Sequence, residues 1–164
     1  MNWKNHPNVK FKNKGGNIMK TQKDPKPKNQ TKNQNEMPSI LNDKDIDNIL
    51  NLSSENVNLF IEKAKLLAEQ IGDKIEGRKR IERISSSKLR NFYDYAVQIK
   101  ESKRSDWYLK LMLLKPKMVY NASKEPEKSD RRKALELFNR EIDKILNKID
   151  KNNKSHFDNF MKFF

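Results

Sequence analysis

The residues of this chain best suited to act on a ligand are cations gathered at helix starts, and the chemistry they fit is the holding of phosphate. Residues 78–90 read Arg-Lys-Arg-Ile-Glu-Arg-Ile-Ser-Ser-Ser-Lys-Leu-Arg, a basic, serine-rich run. It passes directly into an apolar pattern at Leu89, Phe92, Tyr93, Ala96, Val97 and Ile99. Spacings mostly of three and four put these on one stripe of a helix, with Ser86 or Ser87 expected as its N-cap. First turns favour Asp and Glu because backbone N–H groups point out there, yet this one carries Lys88 and Arg90. Such a start attracts anions, and its N–H groups, hydroxyls and long basic side chains fit a phosphate. Arg131, Arg132 and Lys133 load a second helix start with the same sign, offset only in part by Asp130. Lys115 and Lys117 flank Pro116, where backbone groups are freed by the missing N–H, and Lys124 follows. The candidate phosphate contacts are therefore Arg78, Lys79, Arg80, Arg83, Lys88, Arg90, Lys115, Lys117, Lys124, Arg131 and Arg132.

Catalytic chemistry has little to work with. Four glycines form neither a phosphate-cradling loop nor a dinucleotide fingerprint. His6 and His156 stand alone, with no second histidine or cysteine at ligand spacing. Asp45 with Asp47, or Glu62 with Glu69, are acid pairs of the kind common on helix surfaces, and Tyr93, Tyr95 and Tyr108 read as core or rim aromatics. The expectation is a protein that is not an enzyme and needs no metal or cofactor.

The elements that must position the cations are helical. Asp43 to Leu50 reads as a short helix burying Ile46, Ile49 and Leu50. A second helix, capped by Ser53 or Ser54, carries the stripe Val57, Phe60, Ile61, Ala64, Leu67, Ala68 and Ile71 and ends at Gly72 as a left-handed C-cap. Its Glu62, Lys63, Lys65 and Glu69 read as solvated surface. Gly72 to Gly77 is expected as a loop. Beyond the Leu89 helix comes a polar break at 102–105, with Ser105 or Asp106 as the next cap. Trp107 to Leu114 is apolar nearly all round and is expected to be the most buried segment, with a break at Leu113 to Lys115 before Pro116. After a loop over 123–128, a long helix from Ser129 carries Leu135, Phe138, Ile142, Ile145 and Ile149 as a heptad-like seam. A final segment from His156 ends on Phe163 and Phe164, which must cap the bundle or meet a partner.

Composition agrees with that plan. Among 164 residues, 36 Lys plus Arg stand against 22 Asp plus Glu, a net charge of +14 that suits a polyanionic partner. About half of the surplus lies in residues 1–37, where nine lysines face Asp24 and Glu36. That stretch is too poor in apolar residues to offset the entropy of ordering, so it is expected to be a disordered lysine-rich arm ahead of a helical domain at 38–164. Trp3 and Phe11 interleave with its lysines, as base-stacking residues on a single strand would, although a solvated tail is the simpler reading. No cysteine is present, which suits a reducing interior. No run approaches a transmembrane span, and the start lacks a signal-peptide core, so the expected location is cytoplasmic. The fold class expected is all-α, a compact bundle of about five to six helices.

Two segments carry a family resemblance: Ile84-Ser85-Ser86-Ser87-Lys88-Leu89-Arg90-Asn91-Phe92-Tyr93 and Leu113-Leu114-Lys115-Pro116-Lys117-Met118-Val119-Tyr120-Asn121-Ala122. In that order they resemble the paired signatures of the small subunit of type III-A CRISPR effectors, the Csm complexes. The likeness spans about Asn48 to Phe164. It implies a compact helical bundle without catalytic residues, stacked in several copies along the channel that holds guide RNA and target RNA, beside the other effector subunits. By the same resemblance Lys88 and Arg90 match the gln-leu-arg part of the first signature, and Lys115 the basic position before its proline. Lys124 stands where the family carries arginine, which keeps the charge but not the forked geometry. The family also continues into a further helical stretch that is missing after Phe164, so the last helix is expected to be shortened or completed by a neighbour. The function implied is a non-catalytic RNA-binding scaffold in antiviral defence. Charge alone would equally suit a freestanding basic helical protein on DNA or ribosomal RNA, and less well a membrane-surface protein, since the cations do not line one face opposite Trp and Phe.

Overall fold

The computed structural model describes residues 37–101 and 106–164. The expected arm, apart from Met37, and the polar break at 102–105 lie outside these residues. Seven helices and one small hairpin are present among the described residues: α1 (Asp43–Leu50), α2 (Val57–Ile71), β1 (Lys74–Glu76), β2 (Lys79–Ile81), α3 (Ser86–Glu101), α4 (Trp107–Met112), α5 (Leu114–Ser123), α6 (Asp130–Lys148) and α7 (Lys154–Phe163). The fold is the expected helical bundle. The count exceeds six because the chain breaks at Leu113, which separates α4 from α5. Pro116 falls in the first turn of α5, where its missing N–H has no intrahelical partner to lose.

Helix α6 is the spine. Ser129 caps it by accepting from the Arg132 N–H at 3.1 Å, and Leu135, Phe138, Ile142 and Ile145 are buried along the seam expected from their spacing. The helix ends at Lys148, leaving the buried Ile149 as its C-cap. Helices α1, α2 and α5 pack on α6, while α7 reaches α1, α2 and α3. Fully buried Phe138, Phe157 and Phe160 make the aromatic centre. Trp107 stacks on Phe157 with ring centroids 5.5 Å apart, and Phe164 lies 5.6 Å from both Phe138 and Phe160. The terminal phenylalanines thus cap the bundle. Each such aromatic contact adds about 0.5–1.5 kcal/mol beyond its area burial.

Two buried carboxylates tie the chain's entry to this core. Asp45 closes a capping box with Asn42 at the start of α1 and pairs with Lys63 at 3.1 Å. Lys63, expected on a solvated face, is therefore only 18 % exposed. Glu141, 0 % exposed, accepts from the Leu41 N–H at 3.0 Å and from Arg140 and Lys144.

Several local expectations are corrected. Asn56, and neither Ser53 nor Ser54, is the residue before α2, and its side chain accepts from the Ser53 N–H while donating to the Asn48 and Asn51 carbonyls. Gly72 is extended, with φ −75°, rather than left-handed. What favours glycine there is crowding, since a Cβ would lie 3.0 Å from the Ala68 carbonyl oxygen. The expected loop at 72–77 is largely a hairpin, in which Lys74 pairs with Ile81, Ile75 with Arg80 and Glu76 with Lys79. Gly77, at φ +62°, makes its turn. The Trp107–Leu114 segment is not the most buried. Leu111 and Leu114 face the core, but Leu109 is 63 % and Leu113 49 % exposed. A six-residue helix held by α3 and α5 has one covered side only.

Candidate nucleic-acid interface

The hairpin, the start of α3 and the start of α6 meet around a cleft of about 290 Å³, lined by Asp73, Arg80, Glu82, Arg83, Ser85, Lys88 and Arg131. Four of the eleven candidate cations thus come together from segments up to 51 residues apart in sequence. The local reasons are simple. Antiparallel pairing of β2 with β1 turns the basic run back along the end of α2, and Asp73 fixes the return. Its carboxylate accepts from the Arg83 backbone N–H at 2.8 Å and from Arg80 Nη2 at 2.7 Å. Those two bonds, the backbone one first, hold the Asp73 carboxyl below the ordinary carboxylate range. Ser85, one or two residues earlier than expected, anchors the start of α3, accepting the Lys88 and Leu89 N–H groups at its carbonyl.

Each cation in the cleft has an internal acceptor. Arg131 pairs with Glu82 and Lys88 with Glu125. Arg83 donates to the Gln70 carbonyl, while its buried Nε has no hydrogen-bond partner among the described residues. The Arg131–Glu82 side chains are 52 % and 53 % exposed, and so open a pair contributes about 0–1 kcal/mol. Lys88 also borders a smaller pocket of about 140 Å³ between α3 and α5, shared with Asn91, Tyr95, Lys117 and Asn121. Lys117 Nζ lies 3.4 Å from the Tyr95 ring centroid.

The other candidates are dispersed. Arg78 and Lys79 stay on the exposed hairpin beside the cleft. Arg90 sits on the other flank of α3 from Lys88, lining an apolar groove with Tyr93, Asp94 and Phe164. Lys115 turns onto α6 and pairs with Asp143 at 2.9 Å. Lys124 Nζ lies 4.1 Å from the Tyr120 ring centroid at the end of α5. Arg132 pairs along α6 with Glu136 at 2.8 Å, a bond that raises its pKa above the ordinary arginine value. Sequence reasoning missed the carboxylates that pair with the cations of the cleft. Glu82 was visible inside the basic run, but nothing pointed to Glu125, 37 residues from its partner Lys88.

Among the described residues no cluster of three or more His, Asp or Glu is placed to hold a metal ion, and no helix is long and apolar enough to cross a membrane. Fold and cleft together define a small basic helical-bundle protein in which four cations converge on a cleft beside the hairpin. The family model of Csm2 Type III-A matches residues 54–164. The chain belongs to that family, and so is a subunit of the type III-A CRISPR effector complex. No curated protein and no solved structure matches it.

Proposed function

We propose that this subunit is a non-catalytic RNA-binding scaffold of the type III-A CRISPR ribonucleoprotein, acting in the cytoplasm in antiviral defence. Several copies stack along the guide RNA–target RNA duplex beside the other effector subunits, and each contacts the phosphate backbone. The observation that carries this reading is the convergence of Arg80, Arg83, Lys88 and Arg131 on one cleft at the α3 start, in a chain of net charge +14. Guanidinium forks and helix N–H groups suit phosphate oxygens, which fix register without reading sequence. Lys117 and the exposed hairpin cations Arg78 and Lys79 would extend the track on either side. RNA affinity measured across salt and across unrelated sequences tests the proposal. It should fall steeply with salt and vary little with sequence, whereas a strong preference for one sequence at fixed salt would overturn it.

A further inference from the structure

Resting on the RNA-binding reading above, we infer that the cleft is self-masked: Glu82 on Arg131 and Glu125 on Lys88 hold the positions that RNA phosphates take, and binding exchanges carboxylate for phosphate. Three features carry this. First, both pairs join separate elements, the end of the hairpin to the start of α6 and the start of α3 to the loop after α5. Arg131, Glu82 and Lys88 line the cleft, and Glu125 reaches Lys88 from the loop after α5. Second, a carboxylate offers a guanidinium or ammonium the same anionic oxygens that a phosphate does, so the cations are already oriented for the incoming ligand. Third, the Glu82 pair is built unlike the Asp73 pair, and Glu125, 13 % exposed, is the more enclosed of the two masks. Asp73 also accepts the Arg83 backbone N–H and so anchors the hairpin, while Glu82 makes its side-chain contact from an exposed position.

The consequence is selectivity for a run of phosphodiesters over a lone phosphate. Exchanging one carboxylate for one phosphate in water gains almost nothing, because one charge-assisted bond replaces another. A backbone that reaches Arg131, Lys88 and the hairpin cations together releases several counterions at once, and that release favours the exchange. The masking acids also lower the attraction of the cleft for polyanions that touch it at a single point.

Glu82→Gln, Glu125→Gln and the double variant test this in the full chain, with one single-stranded RNA of fixed length titrated over a salt series. Glu62→Gln/Glu69→Gln removes the same charge from exposed positions on α2 and serves as the control. The double cleft variant should bind roughly tenfold tighter with a salt slope close to that of the unaltered chain, because the same phosphates are contacted, while the control changes neither substantially. Equal gains from cleft and control variants would show a bulk charge effect and overturn the masking. So would unchanged affinity in folded Glu82→Gln, whose exposed site tolerates the amide even if Glu125→Gln perturbs folding. If the unaltered chain and every variant fail to bind RNA, the scaffold reading falls as well. If the unaltered chain binds and the variants match it, only the masking falls.

Discussion

Replacing Glu141 with alanine should destabilise the bundle out of proportion to the size of the side chain. The carboxylate is 0 % exposed and serves three donors: the Leu41 N–H at 3.0 Å, Arg140 Nε at 3.2 Å and Lys144 Nζ at 3.0 Å. Removing it leaves the buried Leu41 N–H without this acceptor, a loss of about 1–3 kcal/mol. The two cations are affected less. Their side chains are 33 % and 30 % exposed, Arg140 also donates to the Met37 carbonyl and Lys144 to the Leu41 carbonyl, and water replaces part of what they lose. The net expectation is about 2–4 kcal/mol, below the roughly 3–5 kcal/mol of a fully buried pair broken on one side. Against a total of about 5–15 kcal/mol this is large enough to shift a urea midpoint clearly. Glu141→Gln keeps an acceptor for Leu41 and should cost about half as much. Urea unfolding followed by helical circular dichroism gives both values, and hydrogen exchange at Leu41 shows where the loss occurs. An alanine variant within about 1 kcal/mol of the unaltered chain, or unchanged protection at Leu41, would refute the role given to this carboxylate.

Two further outcomes follow from local geometry. Because folding lowers the Asp73 pKa, the stabilisation it gives the hairpin is in full above about pH 4 and is lost as pH falls through the lowered value. Hydrogen exchange should therefore show the hairpin opening in acid before α6 does, and Asp73→Asn should abolish that pH dependence; a hairpin equally protected throughout would contradict the anchor. Pro116→Ala should change stability by less than about 1 kcal/mol, since the proline stands in a first turn rather than a helix interior, where its removal would relieve about 3 kcal/mol. A gain of that larger size in urea unfolding would mean that Pro116 strains α5.

What was legible in the sequence was whatever a period of 3.6 writes within one element. The α6 seam, the α3 stripe and the break before Pro116 stand where their spacing put them. Contacts between elements were not legible. Lys63 looks like any surface lysine until α1 brings the buried Asp45 against it, and the apolar α4 gives no sign of which of its sides will be covered. The hairpin escaped notice because its three-residue strands are too short for alternation to register and its residues are mostly charged. The same limit applies to the cleft. Local charge marked Arg80, Arg83 and Lys88, but only the packing of α6 against its neighbours delivers Arg131 to them, and only the turn of α3 carries Arg90 away.

The most direct test of the central claim compares salt slopes of RNA binding between two variants that lose equal charge. Lys88→Ala/Arg131→Ala removes two cations from the cleft, and Lys65→Ala/Lys154→Ala removes two from exposed positions elsewhere. With helical content unchanged in both, the cleft variant should bind single-stranded RNA more weakly, and its slope of log affinity against log salt should shrink by about 1.4, two contacts at about 0.7 each. The control should keep nearly the full slope. Equal losses in both variants would contradict a placed phosphate site and leave net charge alone as the source of binding.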